Sequence, residues 1–120
     1  MDYMESLYDK KSGVRELNLF DFKGKKVNFK GKEGLINFYA PWCGHCRKMK
    51  DLWSELAIHF KDRFIIAAVN CEDPYNYNLR WRFNITCYPT LKFVNKRGQL
   101  EDYDGEIEKD ELLEFISGRL

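Results

Sequence analysis

Two cysteines stand three positions apart in the segment YAPWCGHCRKMK (residues 39–50), with only Gly44 and His45 between Cys43 and Cys46. Residues three apart on a helix have side-chain roots roughly 5–6 Å apart, so a disulfide can close there with little backbone movement. The first cysteine falls where a helix should start, and unpaired backbone N–H groups and the helix dipole favour an anion at that point. Cys43 is therefore expected to be an exposed, reactive nucleophile in its thiolate form. Cys46 lies a turn further in and is expected to be more buried and harder to ionise. This asymmetry assigns the roles: Cys43 attacks or is attacked, and Cys46 resolves the mixed disulfide. When protonated, His45 adds a positive charge beside the thiolate and makes the disulfide a better oxidant; the plainer reading is a passive, solvent-facing side chain. Two well-known dithiol proteins lie at about −270 and about −180 mV, a gap of roughly 4 kcal/mol that a helix end and a neighbouring cation can largely supply.

The elements that must hold this pair can be read around it. The run GLINFYA (34–40) is almost continuously apolar and bounded by Gly34 and Pro41, the pattern of a strand buried on both faces. After it, Met49, Leu52, Trp53, Leu56, Ala57 and Phe60 recur at three and four residues, which predicts one helix from about Cys43 to Phe60. VRELNLF (14–20) and RFIIAAVN (63–70) read as further strands, and YNLRWRF (77–83) as a short helix after the Asp73-Pro74 turn. TLKFVN (90–95) and QLEDYD (99–104) read as a hairpin at a sheet edge, and KDELLEFISG (109–118) as a helix ended by Gly118. Helices alternating with buried strands imply an α/β domain with a central mixed sheet and helices on both faces. The cysteines then sit beyond the C-terminal end of strand 34–40, where ligand and reaction sites of such sheets lie. The domain is expected to span 14–120, preceded by an N-terminal extension, 1–13.

Composition narrows the function classes. A chain of 120 residues with 44% hydrophobic residues can build a core without disulfide staples. Twenty basic residues against nineteen acidic ones give a formal charge of +1, which provides no electrostatic footprint for nucleic acid. Lys23, Lys25, Lys26, Lys30 and Lys32 cluster, but acidic neighbours make them a solvated face. No apolar run approaches the length of a membrane span, and the opening MDYMESLYDKK lacks the pattern of a signal peptide.

The segment FYAPWCGHC (38–46) resembles the active-site segment of a protein disulfide isomerase catalytic domain, within the thioredoxin family. The likeness continues through Trp53, AAVNCED (67–73), CYPTLKFV (87–94) and YDG (103–105). It implies a thioredoxin fold in which Pro89 is cis and faces the cysteines. It also implies that the backbone at Tyr88 pairs with an extended substrate. Trp42 resembles a tryptophan that shields the reactive sulfur, with ordinary core packing as the alternative. Arg119 resembles a C-terminal arginine that approaches the second cysteine. The implied activity is thiol–disulfide exchange or isomerisation on protein or peptide substrates, with a reductase or oxidase partner and no cofactor beyond an external thiol or disulfide.

The chain departs from the family pattern at several positions. Asn37 stands where the family usually has a buried carboxylate that accepts the proton of the second cysteine, and Ala68 where a partner lysine is common. Asparagine takes up no proton near neutral pH, so slow release of the mixed disulfide is expected. Asp51 replaces a proline that commonly kinks the helix, so a straighter helix is expected. Cys87 replaces the usual glycine two residues before Pro89. It reads either as a small half-buried residue or as a reactive thiol able to link two copies of an otherwise monomeric chain. Cys71 is expected to be inert, and the Asn84-Ile85-Thr86 glycosylation pattern lies too near the groove for use.

Two other readings compete: a zinc site from Cys43, Cys46, Cys71 and His45 or His59, disfavoured because a second close ligand pair is missing, and a thioredoxin-like chaperone or interaction module whose redox role has weakened. A CGHC pair suits an oxidising lumen such as that of the endoplasmic reticulum, if this is an excised or mature domain. A native start at Met1 would instead imply a cytoplasmic or virus-carried protein.

Overall fold

The computed structural model describes residues 5–120; the first four residues of the 1–13 extension lie outside the described residues. Five strands form the central sheet: β1 (Arg15–Leu17), β4 (Gly34–Tyr39), β5 (Ile65–Asn70), β6 (Thr90–Val94) and β7 (Leu100–Asp102), in the order β1-β5-β4-β6-β7. The pairs β1·β5 and β5·β4 are parallel, whereas β6 and β7 run antiparallel. Every residue of β4 and β5 is buried, as continuous apolar runs require at the centre of a two-sided sheet. Gly34 opens β4 because a Cβ there would lie 2.5 Å from the Ile65 carbonyl oxygen.

Strand alternation divides the core in two. Leu35, Tyr39, Ile66 and Ala68 face a layer closed by α2 (Lys50–Phe60) and α4 (Lys109–Ser117), with Trp53, Leu56, Leu112 and Ile116. Ile36, Phe38, Ala67 and Val69 face the other layer, closed by Leu79 of α3 (Tyr77–Arg82) and by Phe83. Trp53 is fully buried, and its indole N–H donates to the Ala67 carbonyl (2.9 Å), satisfying its one polar group. Leu7 and Tyr8, from the segment read as an extension, pack into the first layer.

Three sequence expectations change. The first strand ends at Leu17 because Asn18 caps a 3₁₀ turn over Leu19–Asp21, its side chain accepting the Phe20 N–H while Asp21 accepts the Asn18 N–H. A two-stranded hairpin, β2 (Phe22–Lys23) with β3 (Lys26–Val27), occupies the lysine-rich stretch where no strand is expected. The long helix is interrupted: α1 (Gly44–Lys48) is separated from α2 at Met49, whose backbone (φ −87°, ψ −1°) stays right-handed but departs from regular helical ψ. The break therefore occurs without proline. Cys46, Met49 and Trp53, before, at and after the interruption, are all buried in one layer of the core.

Candidate redox site

Strand β4 delivers the chain to the site. After Tyr39, the Cys43 N–H donates to the Ala40 carbonyl (3.0 Å), and Cys43 becomes the N-cap of α1 with extended backbone (φ −74°, ψ 124°). Its Sγ accepts the Cys46 N–H at 3.3 Å, so one of the donors left free at the helix start is aimed at the sulfur. Because β6 runs antiparallel to β4 with Thr90 opposite Phe38, Tyr88 and Pro89 arrive at the same end. The Tyr88–Pro89 peptide is cis, and the Cys43 thiol points at the Tyr88 carbonyl oxygen, 3.7 Å away.

The two sulfurs differ in their surroundings. Cys43 is only 8% exposed, which corrects the expectation of an exposed sulfur: the loop before β6 covers it with the Tyr88 carbonyl. Cys46 is completely buried, and its thiol is pushed up to about 12, first by burial and then by its hydrogen bond with Cys43. His45 and Gly44 are exposed, and a Cβ at Gly44 would meet nothing within 4 Å. His45 lines one wall of a groove of about 530 Å³ that also takes in Met49, Leu52, Pro89 and Ile107.

Trp42 is 49% exposed, so it is not core packing. Its indole N–H donates to Glu72 Oε1 (2.8 Å), and its ring stands edge-on to Tyr88 with centroids 6.0 Å apart. The Arg80 guanidinium lies 5.8 Å from the centre of the Tyr88 ring. Glu72 and Arg80 thus support the rim from beyond β5, roles that no local sequence pattern announces.

Arg119 does not reach the cysteines. It sits at the opposite end of the sheet, 3.5 Å from Glu33, with its guanidinium over Phe93 (4.1 Å) and Phe115 (4.7 Å). Helix α4 ends at Ser117 on that side, so the residues after it cannot turn back to the site. Asn37 is wholly buried on the Cys46 side of the sheet, and its side-chain amide donates to the Tyr8 hydroxyl (3.2 Å). Cys71 is buried in the opposite layer, with its thiol pushed up to about 12 by burial. Cys87 is exposed rather than half-buried, its sulfur 3.7 Å from Thr90 Oγ1. Among the described residues no three His, Cys, Asp or Glu side chains gather as a metal site, and Cys71 is across the sheet from Cys43 and Cys46.

The thioredoxin family profile matches residues 14–118. This chain belongs to the thioredoxin family. It is 36% identical over 86 residues to a protein disulfide-isomerase of Ricinus communis, covering 72% of this chain and 17% of that protein. A putative protein disulfide-isomerase of Dictyostelium discoideum is 32% identical over 119 residues, 94% of this chain and 28% of that protein. The chain therefore spans less than a third of these curated relatives. Among solved structures, the first thioredoxin domain of mouse protein disulfide-isomerase A4 aligns with a TM-score of 0.72 and 32% identity, over 89% of this chain and 75% of that one. Thioredoxin F from spinach chloroplast aligns at 0.71 with 25% identity, over 89% and 86%. The fold is thus the thioredoxin fold, and the family is one of thiol–disulfide oxidoreductases. No helix among the described residues is long and apolar enough to cross a membrane.

Proposed function

We propose that this domain catalyses thiol–disulfide exchange on protein or peptide substrates, with Cys43 as the outer nucleophile and Cys46 as the resolving thiol. One observation carries the reading: the Cys43 sulfur is held at a helix start by the Cys46 N–H and faces the Tyr88 carbonyl. A thiolate on Cys43 attacks a substrate disulfide, one substrate sulfur leaves as a thiolate, and a Cys43–substrate disulfide forms. Cys46, after losing its proton, attacks the Cys43 sulfur; the Cys43–Cys46 bond forms and the substrate is released reduced. Run backwards, the same steps oxidise a substrate dithiol.

The rim supplies the binding surface. Trp42, Tyr88 and Pro89 surround the sulfur, and the Tyr88 backbone offers hydrogen bonds to an extended chain. His45, when charged, stabilises the dithiol form and favours oxidation of substrates. The chemistry calls for no cofactor, only an external thiol or disulfide, or a reductase or oxidase partner, to reset the pair. Kinship with proteins named disulfide isomerases favours an oxidising lumen such as the endoplasmic reticulum.

A second reading, a chaperone or interaction module with weakened redox activity, draws on the neutral, buried Asn37 on the Cys46 side of the sheet. Insulin reduction and disulfide reshuffling by wild type and Cys43→Ser separate the two. The exchange reading predicts activity that vanishes in Cys43→Ser; equal behaviour of both proteins would favour the module.

A further inference from the structure

The layer that holds Cys46 also carries a polar pair that the exchange steps above leave unused. Asn37 lies on β4 between Leu35 and Tyr39, on the face that looks into the layer holding Cys46. Its amide N–H donates to the Tyr8 hydroxyl at 3.2 Å, and its own Oδ1 has no partner among the described residues. Tyr8 is 4% exposed and belongs to the same layer as Cys46. It is fixed there by an edge-on contact with Tyr39 (5.4 Å) and by the Leu7 N–H donating to the Tyr39 hydroxyl (3.2 Å). The Tyr39 hydroxyl in turn donates to Glu16 (2.6 Å). The Tyr8 oxygen accepts from Asn37, and its proton meets no acceptor among the described residues. The pair thus leaves one hydroxyl proton and one amide oxygen unengaged in the layer that also holds the Cys46 thiol.

We infer that Tyr8, held by Asn37, is a positioning donor for the Cys46 thiolate, standing in for the buried carboxylate that Asn37 replaces. This rests on the exchange reaction proposed above. The two devices differ chemically: a carboxylate accepts the thiol proton, whereas Tyr8 stabilises the anion once the proton has gone. In the resolving step the Cys46 proton passes to solvent and the thiolate accepts the Tyr8 O–H. Cys46 Sγ then bonds to Cys43 Sγ, the bond from Cys43 to the substrate sulfur breaks, and the departing thiolate takes a proton from solvent. Tyr8 stays protonated throughout, because burial, followed by the charges of Glu16 and of an ionised Cys46, raises its ionisation well above the ordinary tyrosine range. The titratable groups facing the pair are Cys43, Cys46, Tyr39 and Glu16; α2 and α4 close the layer with apolar side chains such as Trp53 and Leu112.

The test is single-turnover release of a peptide held as a mixed disulfide on Cys43, followed against pH. Loss of a hydrogen bond to a charged group predicts release about tenfold slower in Tyr8→Phe and a midpoint about one pH unit higher. Alkylation of Cys43 should proceed at the wild-type rate. Asn37→Leu, nearly the same size, removes the holder and should slow release in the same direction, providing a second arm if Tyr8→Phe does not fold. In an Asn37→Glu background, where a carboxylate again accepts the proton, Tyr8→Phe should change release less than twofold. Wild-type rate and midpoint in a folded Tyr8→Phe, or in a folded Asn37→Leu, overturns the inference while leaving the exchange reaction standing. Failure of wild type to release the peptide at all would remove both.

Discussion

Cys46 and Cys71 are both fully buried, both carry a free thiol, and burial pushes both up to about 12. Their settings on the two sides of the sheet differ. Cys46 sits three residues from a second thiol at a helix start, with Asn37 and Tyr8 in its layer. Cys71 follows β5 in the opposite layer, its sulfur pointing at the Val69 carbonyl 3.8 Å away and no cysteine beside it. Burial alone makes a thiol inert, and Cys71 stays so although the Arg80 guanidinium and the Tyr88 hydroxyl act on it; an adjacent sulfur to attack makes Cys46 the resolving thiol. The two cysteines thus offer an internal contrast between identical side chains with similar desolvation.

The strongest way to break the contrast is at its outer sulfur. Cys43→Ser should abolish insulin reduction, whereas Cys46→Ser should retain attack and accumulate a mixed disulfide detectable by mass. Accumulation in Cys71→Ala instead would reverse the assignment. Asn37→Glu sharpens the contrast from the other side. A buried carboxylate able to act as general base contributes about 10²-fold or more in favourable geometry, so release should accelerate at least tenfold. An unchanged rate would show that proton removal from Cys46 does not limit release.

Acid–base linkage gives a smaller and separable effect. Because both thiols are raised from 9.0 to about 12, the folded protein keeps protons that the unfolded chain loses. Each thiol therefore stabilises the reduced protein fully below about pH 9, and that contribution is lost as pH rises toward 12, by at most about 4 kcal/mol per thiol. Denaturant melts across this window should show a steeper loss for the reduced protein than for the oxidised one, in which, of these two thiols, only Cys71 still titrates. Equal slopes would remove Cys46 from the account. Smallest of all, Arg119→Ala should leave the release rate unchanged and lower stability by roughly 1 kcal/mol, through its partly exposed stacking on Phe93 and Phe115.

Much of this arrangement was legible in the chain. Buried strands announce themselves as apolar runs, and C-x-x-C at a strand-to-helix junction fixes which end of the sheet carries chemistry, so the central strands and the 43–46 pair follow from pattern. The interruption at Met49 does not, because no proline or glycine marks it. Arg119 misled because its distance from the chain end matches an expected arginine, while its place on the sheet depends on where α4 stops. Tyr8 was invisible for a related reason. It lies outside any periodic segment, and only the register that brings Leu7 against Tyr39 sets it beside Asn37. Glu72 reaches Trp42 across thirty residues of chain, a pairing that strand order alone determines.

The central claim is that Cys43 and Cys46 form one reversible two-electron couple. Equilibrating the protein across glutathione buffers, quenching free thiols and mapping the peptides by mass tests it directly. The account predicts a single transition in which Cys43 and Cys46 become linked to each other while Cys71 stays reduced. Glutathione remaining on Cys43 with Cys46 still free, or a link from Cys43 to any other cysteine, would contradict it.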